Sequence, residues 1–148
     1  MDEALACAVS QAQKSAETFR HGAVLLCGRS IVAAGRNRNH NACGLSSIHA
    51  EMDAAWRVKR RRPSHVVVVR LRRDTEFGFS RPCVACVRAL ARMGVSRMTY
   101  TTGDPRCPLA TEPLACVTWC YLGSSEGATC STRCARGWPP GTAPALRL

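Results

Sequence analysis

Two short strings hold residues that could act together on water: His49-Ala50-Glu51 and, about thirty residues further on, Pro82-Cys83-Val84-Ala85-Cys86. Each is weak alone. A chain with ten cysteines yields a C-x-x-C pair by chance, and His-x-Glu often marks only a helix start. Together they gain meaning, because each string opens an expected helix. Cys83 and Cys86, three residues apart on a first turn, present both thiols to the same side. Unsatisfied N–H groups and the helix dipole there favour the thiolate that a metal needs. His49 adds an imidazole nitrogen. One nitrogen and two sulfurs suit zinc and leave a fourth position open for water, whose pKa a bound zinc lowers toward ~7. Glu51 need not be a ligand; two residues from His49, it can sit over the open position and move protons.

The elements that must position these residues follow from apolar spacing. Residues 2–18 place Leu5, Val9, Ala12 and Ala16 at helical intervals and predict an amphipathic helix. Two apolar runs, 23–26 and 31–34, flank Cys27-Gly28-Arg29-Ser30 and predict a hairpin. The polar stretch 35–47, with Asn37, Asn39 and Asn41, predicts a loop. Ser46 or Ser47 is the expected cap of a helix that starts near His49 and ends in the cationic residues 57–62, before Pro63. Four consecutive valines within 65–71 predict a buried strand, and 72–82 a polar loop. A helix over 83–93, stopping at Gly94, then leads into a strand over 95–101. The expected fold is α/β: three layers, α/β/α, with a mixed sheet and the metal group at two helix starts.

Composition limits the alternatives. With 148 residues, 46% hydrophobic, the chain can bury one core. No apolar run approaches the roughly 20 residues of a membrane helix. The start Met1-Asp2-Glu3 is acidic and lacks an apolar segment, so secretion is not expected. Ten cysteines without such a signal point to metal or catalytic use in a reducing, cytoplasmic setting rather than to a disulfide frame. Cys7 and Cys27 are expected as small core residues. The charge is +11, and 19 of the 21 cations are Arg, so the partner should be anionic. Residues 1–103 form the expected domain core. Residues 104–148, rich in Cys and Pro, partly complete the fold or are irregular, with residues 114–122 a strand or short helix and Cys116, Cys120, Cys130 and Cys134 a weaker second metal candidate.

H-A-E followed by P-C-x-x-C resembles the zinc-dependent cytidine deaminase superfamily, and the likeness extends over about residues 1–103, including His21-Gly22-Ala23-Val24 and Gly35-Arg36-Asn37. The resemblance implies that His49, Cys83 and Cys86 hold zinc and that Glu51 shuttles protons to the ring nitrogen and to departing ammonia. It also implies that Asn37 contacts sugar or base, and that the Ala50 N–H contacts the ring carbonyl of a cytosine-type base. Relatives often carry Ser or Thr where this chain has Phe79; Ser80 is offset by one. The expected activity is hydrolytic deamination of a cytosine-type nucleoside or nucleotide to the uracil form. The expected partners are that small substrate and further copies of the chain in a homo-oligomer, with nucleic acid an alternative ligand of the basic surface. Two other readings stay open: a tRNA adenosine deaminase, for which Asp104-Pro105-Arg106 speaks, and an inactive zinc-stapled nucleic-acid-binding module. His21 and His40 are read as a hairpin and a loop residue.

Overall fold

The computed structural model describes residues 1–40 and 45–114. Val66, Val67, Val68 and Val69 all lie in β5 (His65–Leu71) and are fully buried. Alternate side chains of a strand point to opposite faces, so an unbroken valine run requires cover on both. Val67 and Val69 meet Ala4, Ala8 and Ala12 of α1 (Asp2–Gln13) on one face. Val66 and Val68 meet α2 (Ala50–Trp56) and α3 (Val84–Arg92) on the other, with Ala54, Ala55, Val87 and Leu90. Three layers result.

The hairpin of β1 (Arg20–Cys27) and β2 (Ser30–Arg36) lies antiparallel beside β5. On the other side β7 (Arg97–Thr101) runs parallel to β5, and β8 (Leu109–Pro113) closes that edge antiparallel to β7. The order is β2-β1-β5-β7-β8, and the short β6 (Phe77–Gly78) pairs with the end of β5. β3 (Arg38–His40) and β4 (Leu45–Ile48) form a separate two-stranded sheet. Because α2 feeds β5 and α3 feeds β7, both helices run against these parallel strands. Their N-termini therefore share the carboxyl end of β5 and β7, where open α/β sheets bind ligands.

Two glycines let the helices seat this closely. A Cβ on Gly35 of β2 would lie 2.3 Å from the Ala54 nitrogen of α2, and one on Gly22 of β1 would lie 1.9 Å from the Ala8 carbonyl oxygen of α1. The same close approach corrects the apolar face expected of α1. The fully covered stripe is Ala4, Ala8 and Ala12, while Leu5 and Val9 pack only partly against the cluster. α1 also ends at Gln13, short of residue 18.

Other boundaries shift as well. His49, not Ser46 or Ser47, is the N-cap of α2, and Cys83 is the N-cap of α3. α2 stops at Trp56, because like charges crowd 57–62 and Pro63 cannot continue it. Within 35–47 the chain adds β3 and the start of β4, and within 72–82 it adds β6. β8 lies where periodicity is lost; Pro113 is tolerated because it ends an edge strand. Of residues 114–122 only Leu114 is described, buried in the larger cluster. Cys43, Cys116, Cys120, Cys130 and Cys134 lie outside the described residues, as do 115–148 as a whole. Cys7 and Cys27 are half-buried. Among the described residues, no helix is long and apolar enough to cross a membrane.

Candidate active site

His49 and Cys83 each occupy an N-cap in extended conformation, and neither side chain caps its own helix. Both are thereby free to face the gap between the two helix starts. His49 Nδ1 lies 3.5 Å from Cys83 Sγ and 3.3 Å from Cys86 Sγ, and the three donor atoms all lie within 4.8 Å of one another. In a tetrahedral zinc site, with bonds of about 2.0–2.3 Å, neighbouring donors are about 3.5 Å apart, so this group fits such an ion. Among the described residues it is the one group of three or more His, Cys, Asp or Glu side chains placed to hold a metal.

Charge within the group follows from its contacts. Hydrogen bonds from Cys86 and His49 hold the Cys83 thiol down at about 3. The same bond, with burial, pushes Cys86 up, so the pair shares one proton. The bond to Cys83 raises His49. Deprotonation of the whole set therefore goes with binding a cation.

Glu51 is buried beside this group, and burial pushes its carboxyl above the ordinary carboxylate range. A carboxyl raised this way is suited to both giving and taking a proton. Glu51 also lines a cavity of about 260 Å³ together with Ala50, His49, Cys83, Asn37 and His21. Ala50 is the first residue of α2, where backbone N–H groups have no intrahelical acceptor. The cavity thus brings together all six residues singled out from sequence except Cys86, which sits behind it against His49.

Asn37 is tied into the wall. Its Oδ1 accepts from Ser15 Oγ at 2.8 Å and from the His21 amide at 2.7 Å, and its Nδ2 donates to the Phe19 carbonyl at 2.6 Å. The oxygen's acceptor capacity is filled, and a second amide hydrogen remains. His21, read from sequence as a hairpin residue, stands in the wall, and burial with the Arg70 charge drives it down to about 4. The His40 side chain lies outside the described residues.

Several supporting residues carried no chemical signature in the sequence. Buried Ser80 donates to the Val68 carbonyl and accepts from the Thr101 amide, both at 2.9 Å, pinning the loop that delivers Pro82 and Cys83. It is Ser80 that turns inward while Phe79 is exposed and packs edge-on against Tyr100. Arg81 pairs with Glu112 of β8 at 2.9 Å. Buried Asp53 accepts from the Arg36 amide, Arg38 Nε and Arg57 Nε, locking α2 to β2 and β3. Burial alone would raise Asp53, but the bonds from Arg57, Arg36 and Arg38 outweigh it and leave the carboxyl below its ordinary value. Asp53 and Arg57 stand four residues apart, about one helical turn.

Comparison with known proteins bears on family and fold. The family model of the cytidine and deoxycytidylate deaminase zinc-binding region matches residues 1–102. Among solved structures, the fold is similar to cytidine deaminase from Burkholderia pseudomallei, with TM-score 0.60 and 19% identity over 77% of this chain and 92% of that one. Cytidine deaminase from Mycobacterium leprae gives TM-score 0.58 and 19% identity over 78% and 94% of the two chains. Apo dCMP deaminase from the cyanophage S-TIM5 gives 0.52 and 20% over 68% and 81%. No curated relative matches the chain by sequence. With the family match spanning well over half its length, the chain belongs to the family of the cytidine and deoxycytidylate deaminase zinc-binding region.

Proposed function

We propose that this protein is a zinc-dependent hydrolytic deaminase that converts a cytosine-type nucleoside or nucleotide to its uracil form and releases ammonia. One observation carries the reading: His49 Nδ1, Cys83 Sγ and Cys86 Sγ converge at two helix starts, with a buried carboxyl beside them and a cavity opening onto it. His49, Cys83 and Cys86 would hold the zinc, which when bound supplies a hydroxide nucleophile at neutral pH. Glu51 takes the proton from the attacking water and gives it to the ring nitrogen. It then takes the proton of the hydroxyl newly bonded to the ring carbon and passes it to the amine, which leaves as ammonia as the C–N bond breaks and the carbonyl forms. The Ala50 N–H, at the positive end of α2, binds the ring carbonyl. The remaining amide hydrogen of Asn37 is available to sugar or base, and neutral His21 shapes the wall. Cavity walls drawn from both helix starts and from β1 enclose about 260 Å³, a size that supports a single small molecule such as a mononucleoside or mononucleotide. The thiols of the group require a reducing compartment.

The test is ammonia release from cytidine, deoxycytidine, CMP, dCMP, cytosine and a tRNA anticodon stem-loop. The small pyrimidines should react, a phosphorylated one faster than its nucleoside, since a basic protein field favours an anion; added salt should shrink that preference. Activity on the stem-loop and on no mononucleotide would overturn the reading in favour of a tRNA adenosine deaminase.

A further inference from the structure

The two helices that bring the metal-binding group together also have opposite ends. Those ends, at the amino side of β5 and β7, surround a second cavity of about 390 Å³. Lys59, Arg60, Arg61 and Arg62 line it from the segment after α2, and Arg92 lines it from the last turn of α3. All five are exposed, and no carboxylate stands among the lining residues. Among the described residues, none of the five takes part in a salt bridge, whereas the nearby Arg57 pairs with Asp53.

The helix dipole accounts for only part of this charge. A cation complements a helix C-terminus within its last turn. Arg92 on α3 and Arg57 at the C-cap of α2 meet that need. Lys59 to Arg62 lie past the end of α2, where the dipole has faded and the four charges repel one another. An anion removes that repulsion. Arginine forks match phosphate oxygens in pairs, and four consecutive cations with Arg92 across the same cavity offer several contacts to a chain of phosphates. Trp56, which is 62% exposed, ends α2 just before the row and offers a face on which a base can stack.

We infer that the groove between the C-terminal ends of α2 and α3 is a docking site for the backbone of single-stranded nucleic acid, separate from the candidate active site. The helices are seven and nine residues long, so roughly 10–13 Å separate the two sites along their axes. Docking there is independent of deamination and holds whichever small substrate the other end takes.

The experiment is fluorescence polarisation of the whole protein with a labelled single-stranded oligonucleotide of about twenty nucleotides, over a salt series. The triple variant Arg60→Gln/Arg61→Gln/Arg62→Gln should bind at least about tenfold more weakly. Its dependence on log salt should lose a slope of about 2, as removal of three phosphate contacts requires. Trp56→Ala should weaken binding without changing that slope. Arg72→Gln/Arg73→Gln/Arg106→Gln removes the same charge at the other end of the sheet and should bind close to wild type. Equal loss in both triple variants would reduce the effect to net charge and overturn the site. Displacement of the oligonucleotide by millimolar mononucleotide, or by polyglutamate as readily as by unlabelled oligonucleotide, would overturn nucleic acid as its ligand.

Discussion

The N-terminal and C-terminal ends of α2 and α3 are built from the same two helices, yet they differ in every property that governs binding. At the N-terminal ends the donors are few, partly buried and held within 4.8 Å of one another, with Glu51 sealed beside them. At the C-terminal ends the charges are many, exposed and of one sign. The first arrangement suits a single ion and a single small molecule. The second suits a long anion. Helix direction makes the difference: N–H groups and thiolate-favouring dipoles converge at one end, carbonyl groups and cations at the other.

The largest test of that contrast is Cys86→Ser. Cys86 is 2% exposed and touches His49 Nδ1, so serine there should abolish metal binding and reduce ammonia release to background. Arg92→Gln, at the far end of α3, should leave both unchanged. Metal analysis and a turnover assay on the two variants decide it.

Gly35→Ala should damage both ends together. Its Cβ would meet the backbone of Ala54 and Ala50, so α2 must lift off the sheet, at a cost of about 3 kcal/mol in denaturant unfolding. Asp53→Asn should cost about 2 kcal/mol, because it keeps the shape but weakens the charged bonds to Arg38 and Arg57. Metal content should survive at temperatures where Asp53→Asn stays folded. If the loss were instead confined to oligonucleotide binding, Asp53 would serve only the cationic end.

The smallest effect concerns pH. Burial, helped by Arg97 and the N-terminal ammonium, holds buried His65 below its ordinary value of 6.5, and its Nε2 bonds Thr99 Oγ1. The unfolded chain therefore takes up a proton more readily than the fold does. This contribution is complete above about pH 6.5 and is lost as pH falls below it. The melting temperature should drop between pH 7 and pH 5, and His65→Gln should lessen that drop.

Much of the layered fold was legible because its signals are local. Four consecutive valines called for a strand covered on both faces, and the run from Pro82 to Gly94 marked a helix at both ends. The metal-binding group was legible because its chemistry permits few residue types. What escaped depends on contacts distant in sequence. The alanine stripe of α1 answers to Gly22, nine residues past its end, and β8 forms only because β7 offers an edge. Ser80 and Asp53 look like ordinary polar residues until the fold buries them. The role of residues 57–62 was ambiguous in sequence, where a dipole-complementing run and a binding row look alike. The end of α2 at Trp56 leaves residues 59–62 beyond the helix, which the sequence did not reveal.

In the proposed function the N-terminal ends form a zinc-dependent catalytic centre in which Glu51 moves protons. Glu51→Gln tests it most directly, since glutamine keeps the shape of the buried side chain but cannot cycle a proton. Zinc content and ammonia release should be measured on the same preparations of wild type and variant. One zinc per chain is expected in both, with turnover in the variant reduced by at least ~10²–10⁴-fold. An active wild type free of zinc, or a variant as active as wild type, would contradict it.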